Sequence, residues 1–406
     1  MAVYIEPPRS ATPRDATFDI LKGIGISEVI VHHLLSHSAR KFAVEGSLDW
    51  WIMTLGNRVL HFAVPTFLLA SALLLARSLA SKPRPDWRRF YRRRAERTLW
   101  PYLVWSLVYI AFRVARLRIG IDVLPTTVSL PFGMSATLPA LLADARGWCS
   151  SLLWGKAYFH LYFMAILLQF SVAFPLFYYG VRRLRLRFGS IVLLAALLQG
   201  GAFALHSRVL FPLLGFVTPA STVLWYLPAV LLGVWLGPKW SAWGDLWRAW
   251  RWPLALGTAA GFAVYMTMAV RQLLGLPMSS LGFTAGNTTY ATGMALLLLA
   301  ASRRLARCGA GGRWLARVGD WSLPLFLVHP LVLHFLSGPS ITRAIGALPL
   351  SPIVAGILLF GATWWATVAT TRLRVDRLLF GRPLAPQVAS VRAAGARGAA
   401  RAPDVP

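Results

Sequence analysis

The chain has 406 residues, of which 57% are hydrophobic and only 14% are charged, and its mean hydropathy is +0.58. Soluble globular domains are about 25% charged and about 45–50% apolar, so this composition excludes a soluble enzyme, a disordered chain and a fibrous repeat. With only two cysteines, Cys149 and Cys308, a disulfide scaffold and a cysteine-rich metal site are also excluded.

Apolar stretches of about the length that crosses a bilayer follow one another along the chain. The sequence therefore predicts an all-α fold, a polytopic transmembrane helical bundle of about ten spans. We expect these spans at residues 18–37, 57–79, 98–117, 157–179, 189–206, 221–237, 252–270, 286–302, 320–337 and 351–371. They form one domain, 18–372, between an N-terminal segment, 1–17, without a signal-peptide cleavage pattern and a mostly disordered tail, 373–406.

The basic residues indicate which loops face the cytoplasm. The 42 Lys and Arg outnumber the 14 Asp and Glu, and with the N-terminus inside, the inner segments hold 31 of the 42 and the outer segments 11. This asymmetry predicts that both termini are cytoplasmic. Because topology and attraction to anionic membrane lipids account for the charge, we expect no nucleic-acid partner. Arg outnumbers Lys 37 to 5, as in GC-rich genomes, which favours the cytoplasmic (inner) membrane of a bacterium.

The first predicted span contains six charged or titratable residues, Asp19, Lys22, Glu28, His32, His33 and His37, although such residues are costly inside a membrane and usually functional. On a helix, Lys22 and His33 lie within about 20° of each other and about 16.5 Å apart along the axis. Asp19 lies near the same face, and Glu28 about 120° away from it. This pattern predicts a helix that lines a cavity. Alternatively, Lys22 could snorkel to the interface, His33 could be a packing residue and Glu28 could pair with another helix.

Six arginines lie within ten residues at the predicted cytoplasmic mouth of the third span: Arg88, Arg89, Arg92, Arg93, Arg94 and Arg97. Arg94 and Arg97 are about one helical turn apart and could act on one ligand. Guanidinium groups bind phosphate oxygens in pairs, so these two residues are candidate ligands for a phosphorylated substrate. The alternative is an ordinary basic cluster at lipid headgroups.

Two further histidines are candidate site residues. His160 lies at the external start of the fourth span, after a long external loop at 118–156. His329 lies in the ninth span directly before Pro330, where the helical hydrogen-bond ladder is already interrupted. Taken alone, this position favours a structural role for His329. The chain has no Cys–His spacing typical of a metal site, so no metal is expected.

Taken together, these segments resemble the integral-membrane acyltransferase family 3. The family has an Arg or Lys followed after ten residues by His in its first span, and Arg-x-x-Arg with a following Pro and aromatic residue at its third. The matching positions are Asp19, Lys22 and His33 in the first span, Arg94, Arg97, Pro101 and Tyr102 at the third, and weaker likenesses at 64–67, 160–164 and 327–330. The second span lacks the family's usual Phe-Phe pair and Ser-Gly, which indicates divergent packing.

The resemblance implies an enzyme that transfers an acyl group, often acetyl, to a hydroxyl group. We expect acetyl-CoA or another acyl-CoA as the donor, and an exopolysaccharide, another cell-surface glycan or a lipid-linked oligosaccharide as the acceptor. His33 would then act as base or nucleophile with Lys22 beside the donor, and Arg94 and Arg97 would hold the CoA phosphates. Two other classes of polytopic protein remain alternatives: a transporter or flippase of a lipid-linked sugar, and a glycan polymerase.

Overall fold

The computed structural model describes residues 15–82, 84–118, 127–129, 135–137, 145–216, 218–348 and 350–384. Within these ranges the chain is helical apart from two short antiparallel strands, β1 (Thr127–Ser129) and β2 (Ser135–Thr137), in which Val128 lies opposite Ala136. These strands belong to the loop predicted at 118–156, most of whose residues before Ala145 lie outside the described ranges. Residues 385–406 also lie outside them, so the disorder of the tail stays a prediction.

The helices of the first half of the chain are α1 (Ala16–Lys41), α2 (Leu48–Val59), α3 (Ala63–Ala80), α4 (Trp87–Arg94), α5 (Trp100–Arg118), α6 (Ala145–Leu153), α7 (Tyr162–Leu184), α8 (Phe188–Leu205) and α9 (Phe211–Leu214). Two π-helical turns, Ala95–Leu99 and His206–Leu210, join α4 to α5 and α8 to α9. The helices of the second half are α10 (Leu227–Leu236), α11 (Trp243–Leu273), α12 (Ser280–Leu305), α13 (Ala310–Asp320), α14 (Ser322–Leu336), α15 (Pro339–Gly346), α16 (Ser351–Arg372) and α17 (Asp376–Phe380).

Six helical stretches of the described chain are long and apolar enough to cross a membrane, and seven if the α13–α14 pair, bent by 73°, is one span. The six are Leu48–Ala80, Trp87–Arg116, Tyr162–Leu184, Phe188–Leu214, Val223–Leu273 and Ser351–Arg372. Every predicted span falls on helical segments, but the number ten and the cytoplasmic position of both termini stay predictions.

The second predicted span, 57–79, is interrupted in the structure. α2 ends at Val59 and α3 begins at Ala63, so His61 lies between the two helices. Pro65 accounts for this break. It has no N–H to donate to the carbonyl four residues earlier, and it is tolerated in the first turn of a helix, where that N–H would be unpaired anyway.

α1 lies in the middle of the bundle and packs against α2, α3, α12, α13, α14 and α16. Two glycines bring it close to α13. A Cβ atom on Gly319 would lie 1.7 Å from the carbonyl oxygen of Asp19, and one on Gly23 would lie 2.1 Å from that of Leu315. Because other helices pack around α1, its buried polar residues, such as Asp19 and Glu28, face protein rather than lipid, which is where intramembrane polar groups are tolerated.

Two large apolar clusters flank this central helix. One joins α3, α7, α8 and α10 through residues such as Phe170, Phe174 and Leu232. The other joins α1, α5, α14 and α16 through residues such as Tyr109 and Leu359. The clusters hold α1, α3, α7 and α14 in fixed positions relative to one another, and these four helices carry much of the candidate site.

Candidate functional site

A cavity of about 290 Å³ lies beside the C-terminal half of α1, and we call it the histidine cavity. Its walls come from α1, α3, the start of α7, the turn before α10, α12 and α14. Its titratable lining residues are Glu28, His32, His33, His61, His160, Tyr162 and Tyr226. Most of the remaining lining residues are apolar, so the polar groups of the cavity are mainly these titratable side chains. Pockets of this kind suit a ligand that is oriented by a small number of polar contacts.

Three histidine rings from distant parts of the sequence lie next to one another, and two of them, those of His33 and His160, line this cavity. The rings of His33 and His329 are stacked, with centroids 5.4 Å apart and an interplanar angle of 24°, and the ring of His160 lies 5.9 Å from that of His329. His329 and His160 are almost completely buried, whereas His33 is half-buried. The structure therefore brings three of the predicted site residues together.

His329 has a defined hydrogen-bonding role. Its Nδ1 lies 3.0 Å from the carbonyl oxygen of Leu325, and because a carbonyl can only accept, Nδ1 carries the proton in this contact. The Nε2 atom of His329 and both ring nitrogens of His160 are buried without a hydrogen-bond partner among the described residues. Buried polar atoms normally find a partner, so these atoms are available to a substrate or to water. Within the described ranges, no three His, Cys, Asp or Glu side chains are arranged to hold a metal ion.

A second set of polar residues at the cavity, His32, Asn57 and His61, was not predicted from the sequence. The side-chain amide of Asn57 donates to the carbonyl oxygen of His32 at 2.7 Å, and His61 Nδ1 donates to the carbonyl oxygen of Asn57 at 3.0 Å. The rings of His32 and His61 lie 4.8 Å apart. These bonds tie α1 to the end of α2 and fix His32. The only sequence signal for His61 is that it closely precedes Pro65 within an apolar stretch.

Glu28 lies in the same cavity and is only 6% exposed. Neither carboxylate oxygen makes a hydrogen bond of normal geometry with the described residues, although the backbone N–H of Ala63 interacts with the carboxylate at longer range. Ala63 begins α3, and the first N–H groups of a helix are unpaired and favour negative charge. The N–H groups at the start of α3 therefore partly stabilise the negative charge of the Glu28 carboxylate, which has no other hydrogen-bond partner among the described residues.

Lys22 lies elsewhere. Its ammonium group forms a salt bridge of 2.7 Å with Asp19, one turn earlier on α1. Lys22 is not among the described residues that line the histidine cavity. Lys22 and His33 are thus on one helix, but the structure places His33 in the cavity and Lys22 outside its lining, at the level where the neighbouring Gly23 approaches α13.

Arg94 and Arg97 lie where α4 passes into the π-helical turn. Arg94 is the last residue of α4 and is half-buried, and its guanidinium carbon lies 5.6 Å from the centre of the Phe90 ring. Its Nε atom is buried and has no hydrogen-bond partner among the described residues. Arg97 is exposed, and its charge lies close enough to act on Arg94. Two neighbouring guanidinium groups, one of them without a carboxylate partner, can bind an anion. π-Helical turns are frequent at functional sites.

Comparison with known proteins identifies the family of the chain. Residues 15–372 match the family model of the acyltransferase domain, the family that the motifs in the first and third spans resemble. The match covers most of the chain, and the chain belongs to this family. No curated protein and no solved structure matches it. With six or seven candidate spans, the chain is an integral membrane protein with an acyltransferase domain.

Proposed function

We propose that the protein transfers an acyl group, in the first place acetyl, from cytoplasmic acyl-CoA to a hydroxyl group of an extracytoplasmic or lipid-linked glycan. The observation that carries this proposal is that His33, His160 and Glu28 line one cavity inside the bundle, with His329 behind them, stacked on His33. An acyl transfer needs a base for the acceptor hydroxyl, and a neutral imidazole is suited to that task near pH 7.

In the proposed reaction, His33 takes the proton of the acceptor hydroxyl while the oxygen attacks the thioester carbonyl. The tetrahedral intermediate then collapses, the carbon–sulfur bond breaks, and the CoA thiolate takes a proton to leave as the thiol. His329, oriented by its bond to Leu325, stacks on His33 and holds the ring in place. Glu28 is a second candidate base because its carboxylate has no strong partner in the described chain.

A route through an acyl-imidazole on His33 would use the same residues in two steps. The thioester would first acylate the ring and release CoA, and the acceptor hydroxyl would then attack the acyl-imidazole. Rapid mixing with acetyl-CoA without acceptor, followed through the free thiol of released CoA, distinguishes the two routes. A burst of CoA release that matches the amount of protein and is absent from the His33→Ala protein supports the two-step route, and no burst supports direct transfer.

Arg94 and Arg97 are the proposed ligands for the donor phosphates. CoA carries several phosphate groups and cannot cross lipid, so its charged end has to stay at the cytoplasmic mouth while the thin pantetheine arm enters the bundle. The Nε atom of Arg94, which has no hydrogen-bond partner among the described residues, is available to a phosphate oxygen. Lys22 can contribute only if its salt bridge to Asp19 opens or is shared.

The test is a His33→Ala substitution in cells that lack the wild-type protein. We expect acylated glycan to fall by roughly 10²–10⁴-fold, the usual contribution of a general base, with normal protein abundance in the membrane. His206→Ala is the matched control, because His206 lies in a π-helical turn outside the cavity. We expect His32→Ala to be milder than His33→Ala.

The mass of the cell-surface glycans and an immunoblot of the membrane fraction give the readout. Near-normal acylation by the His33→Ala protein would contradict the proposed mechanism. Loss of the whole glycan on gene deletion, instead of loss of the acyl increment alone, would favour a flippase or a polymerase.

A further inference from the structure

A second cavity, of about 350 Å³, lies between α8, α10, α11 and α12, and we call it the lateral cleft. Most of its lining residues are apolar, and many of them are small, among them Ala195, Gly200, Gly257 and Gly293. Neither Gly200 nor Gly257 has a heavy atom of another residue within 4 Å of an added Cβ, so the space beside them is open.

The cleft opens on the outside of the bundle. Val192, Ala196 and Gly200 follow one another at four-residue intervals on one face of α8, and all three are exposed. α8 and α11 both belong to candidate membrane spans. In a membrane this opening therefore faces hydrocarbon, and a chain in the bilayer can enter the cleft sideways without passing through water.

The lateral cleft adjoins the histidine cavity. Thr288 and Thr292, one turn apart on α12, line both of them. A molecule that fills the cleft with one end can therefore reach the histidines with the other end. This adjacency distinguishes the cleft from an ordinary groove on a membrane protein.

One polar side chain in the cleft is buried and has no hydrogen-bond partner within the described part of the chain. Gln199 on α8 is 6% exposed, and neither its amide nitrogen nor its carbonyl oxygen makes a hydrogen bond with the described residues. An unpaired amide in an apolar environment is costly. A hydrocarbon alone would leave that cost in place, whereas a lipid with a hydroxyl or carbonyl near its head–tail junction would remove it.

From these observations we infer that the lateral cleft binds the hydrocarbon tail of a lipid-linked acceptor, and that this tail directs the acceptor's head group past Thr288 and Thr292 into the histidine cavity. The inference rests on the proposed function, because it names the acceptor class of that reaction. Lateral access favours a membrane-borne acceptor over the acyl chain of the donor, which would arrive from inside the bundle.

The experiment compares Gly200→Phe with Gly201→Phe. Both glycines are on α8 and have open space around them, but only Gly200 lines the cleft, so a phenyl ring at Gly200 fills it and one at Gly201 does not. The first probe is dodecyl glucoside with a diazirine in its tail, photo-crosslinked to purified protein in phospholipid nanodiscs. We expect crosslinks within 192–203 and 281–296, competition by unlabelled dodecyl glucoside, and loss of the crosslinks in Gly200→Phe alone.

The second readout is acetyl transfer from acetyl-CoA to dodecyl glucoside and to methyl glucoside. For Gly200→Phe we expect KM for the dodecyl acceptor to rise by roughly tenfold or more, because the tail loses its packing contacts, and KM for the methyl acceptor to stay unchanged. Equal effects on both acceptors, or crosslinks in the cleft that unlabelled dodecyl glucoside does not reduce, would overturn the inference. A changed preference between acetyl-CoA and octanoyl-CoA with unchanged acceptor KM would assign the cleft to the donor chain and also overturn it.

The two proposals can fail separately. If the protein acetylates neither glucoside but the crosslinks behave as expected, the acceptor chemistry is wrong and the lipid site stands. If methyl glucoside is acetylated and no crosslink forms in the cleft, the acyl transfer stands and the lipid site is refuted.

Discussion

Gly319→Ala inserts a methyl group where α1 and α13 are closest, and α1 carries His33. The new Cβ would lie 1.7 Å from the carbonyl oxygen of Asp19, whereas ordinary contact begins at 3.4 Å. The two helices would have to move apart locally by about the difference between these two distances, because the atom in the way belongs to the backbone of α1 and not to a flexible side chain. Overpacking of this kind typically costs about 1–3 kcal/mol, and we expect the upper part of that range.

Gly311→Ala is the matched control, because Gly311 lies on the same helix and an added Cβ there meets nothing within 4 Å. Replacing a helical glycine by alanine stabilises the folded state by about 0.5–1 kcal/mol where the added methyl group meets no obstacle. The two substitutions should therefore change stability in opposite directions.

Thermal unfolding of the purified proteins in one detergent, followed by tryptophan fluorescence, measures this difference, and acyl transfer is assayed in parallel. Transfer should fall in Gly319→Ala, because α13 leads directly into α14 and a shift of α13 against α1 alters the 5.4 Å stacking of His33 on His329. Equal unfolding temperatures for the two variants would refute the close packing of α1 against α13.

Three further predictions follow from the donor site, the topology and the start of α1. Arg94→Lys should weaken acyl-CoA binding by roughly 10- to 150-fold, because one charge-assisted contact is lost, while Arg89→Lys should leave the affinity unchanged. Equal affinities of the two variants would mean that Arg94 and Arg97 serve only as a topology signal. In a protein whose two native cysteines are replaced by serine, a single cysteine within 185–187 should be shielded from an impermeant thiol reagent in intact cells, and one within 275–278 should react. The reverse labelling would show that the predicted topology is inverted. Burial raises the pKa of Asp15, but hydrogen bonds from Thr17, Trp240 and Arg77 outweigh this effect and hold that pKa below its usual value of 3.8. The ionised Asp15 carboxylate should therefore contribute fully to stability at pH 5–8, and this contribution should be lost only as the pH falls below about 4. Asp15→Asn should abolish this pH dependence when unfolding is measured across the pH range.

The sequence by itself determined the helical character of the chain, its membrane class and the motifs that resemble the family. These properties are local. Apolar runs of a given length form membrane helices wherever they occur, and the eleven-residue spacing of Lys22 and His33 fixes their relation on α1 through the helical repeat alone. The break at Pro65 was also encoded locally, since proline has no N–H to continue a helix, although the predicted span 57–79 ran through it.

Only the tertiary structure decided which groups share a cavity. The helical repeat gives the face on which His33 lies but not its neighbours, and His160 and His329 reach it from positions far along the chain because α7 and α14 pack beside α1. Lys22 lies on nearly the same face as His33, yet α13 covers α1 at that level, and Lys22 pairs with Asp19 outside the cavity lining. Glu28 lies about 120° from the predicted polar face and still lines the cavity, since the start of α3 lies beside it. Contacts between helices depend on which faces pack together, and a single helix does not encode that choice.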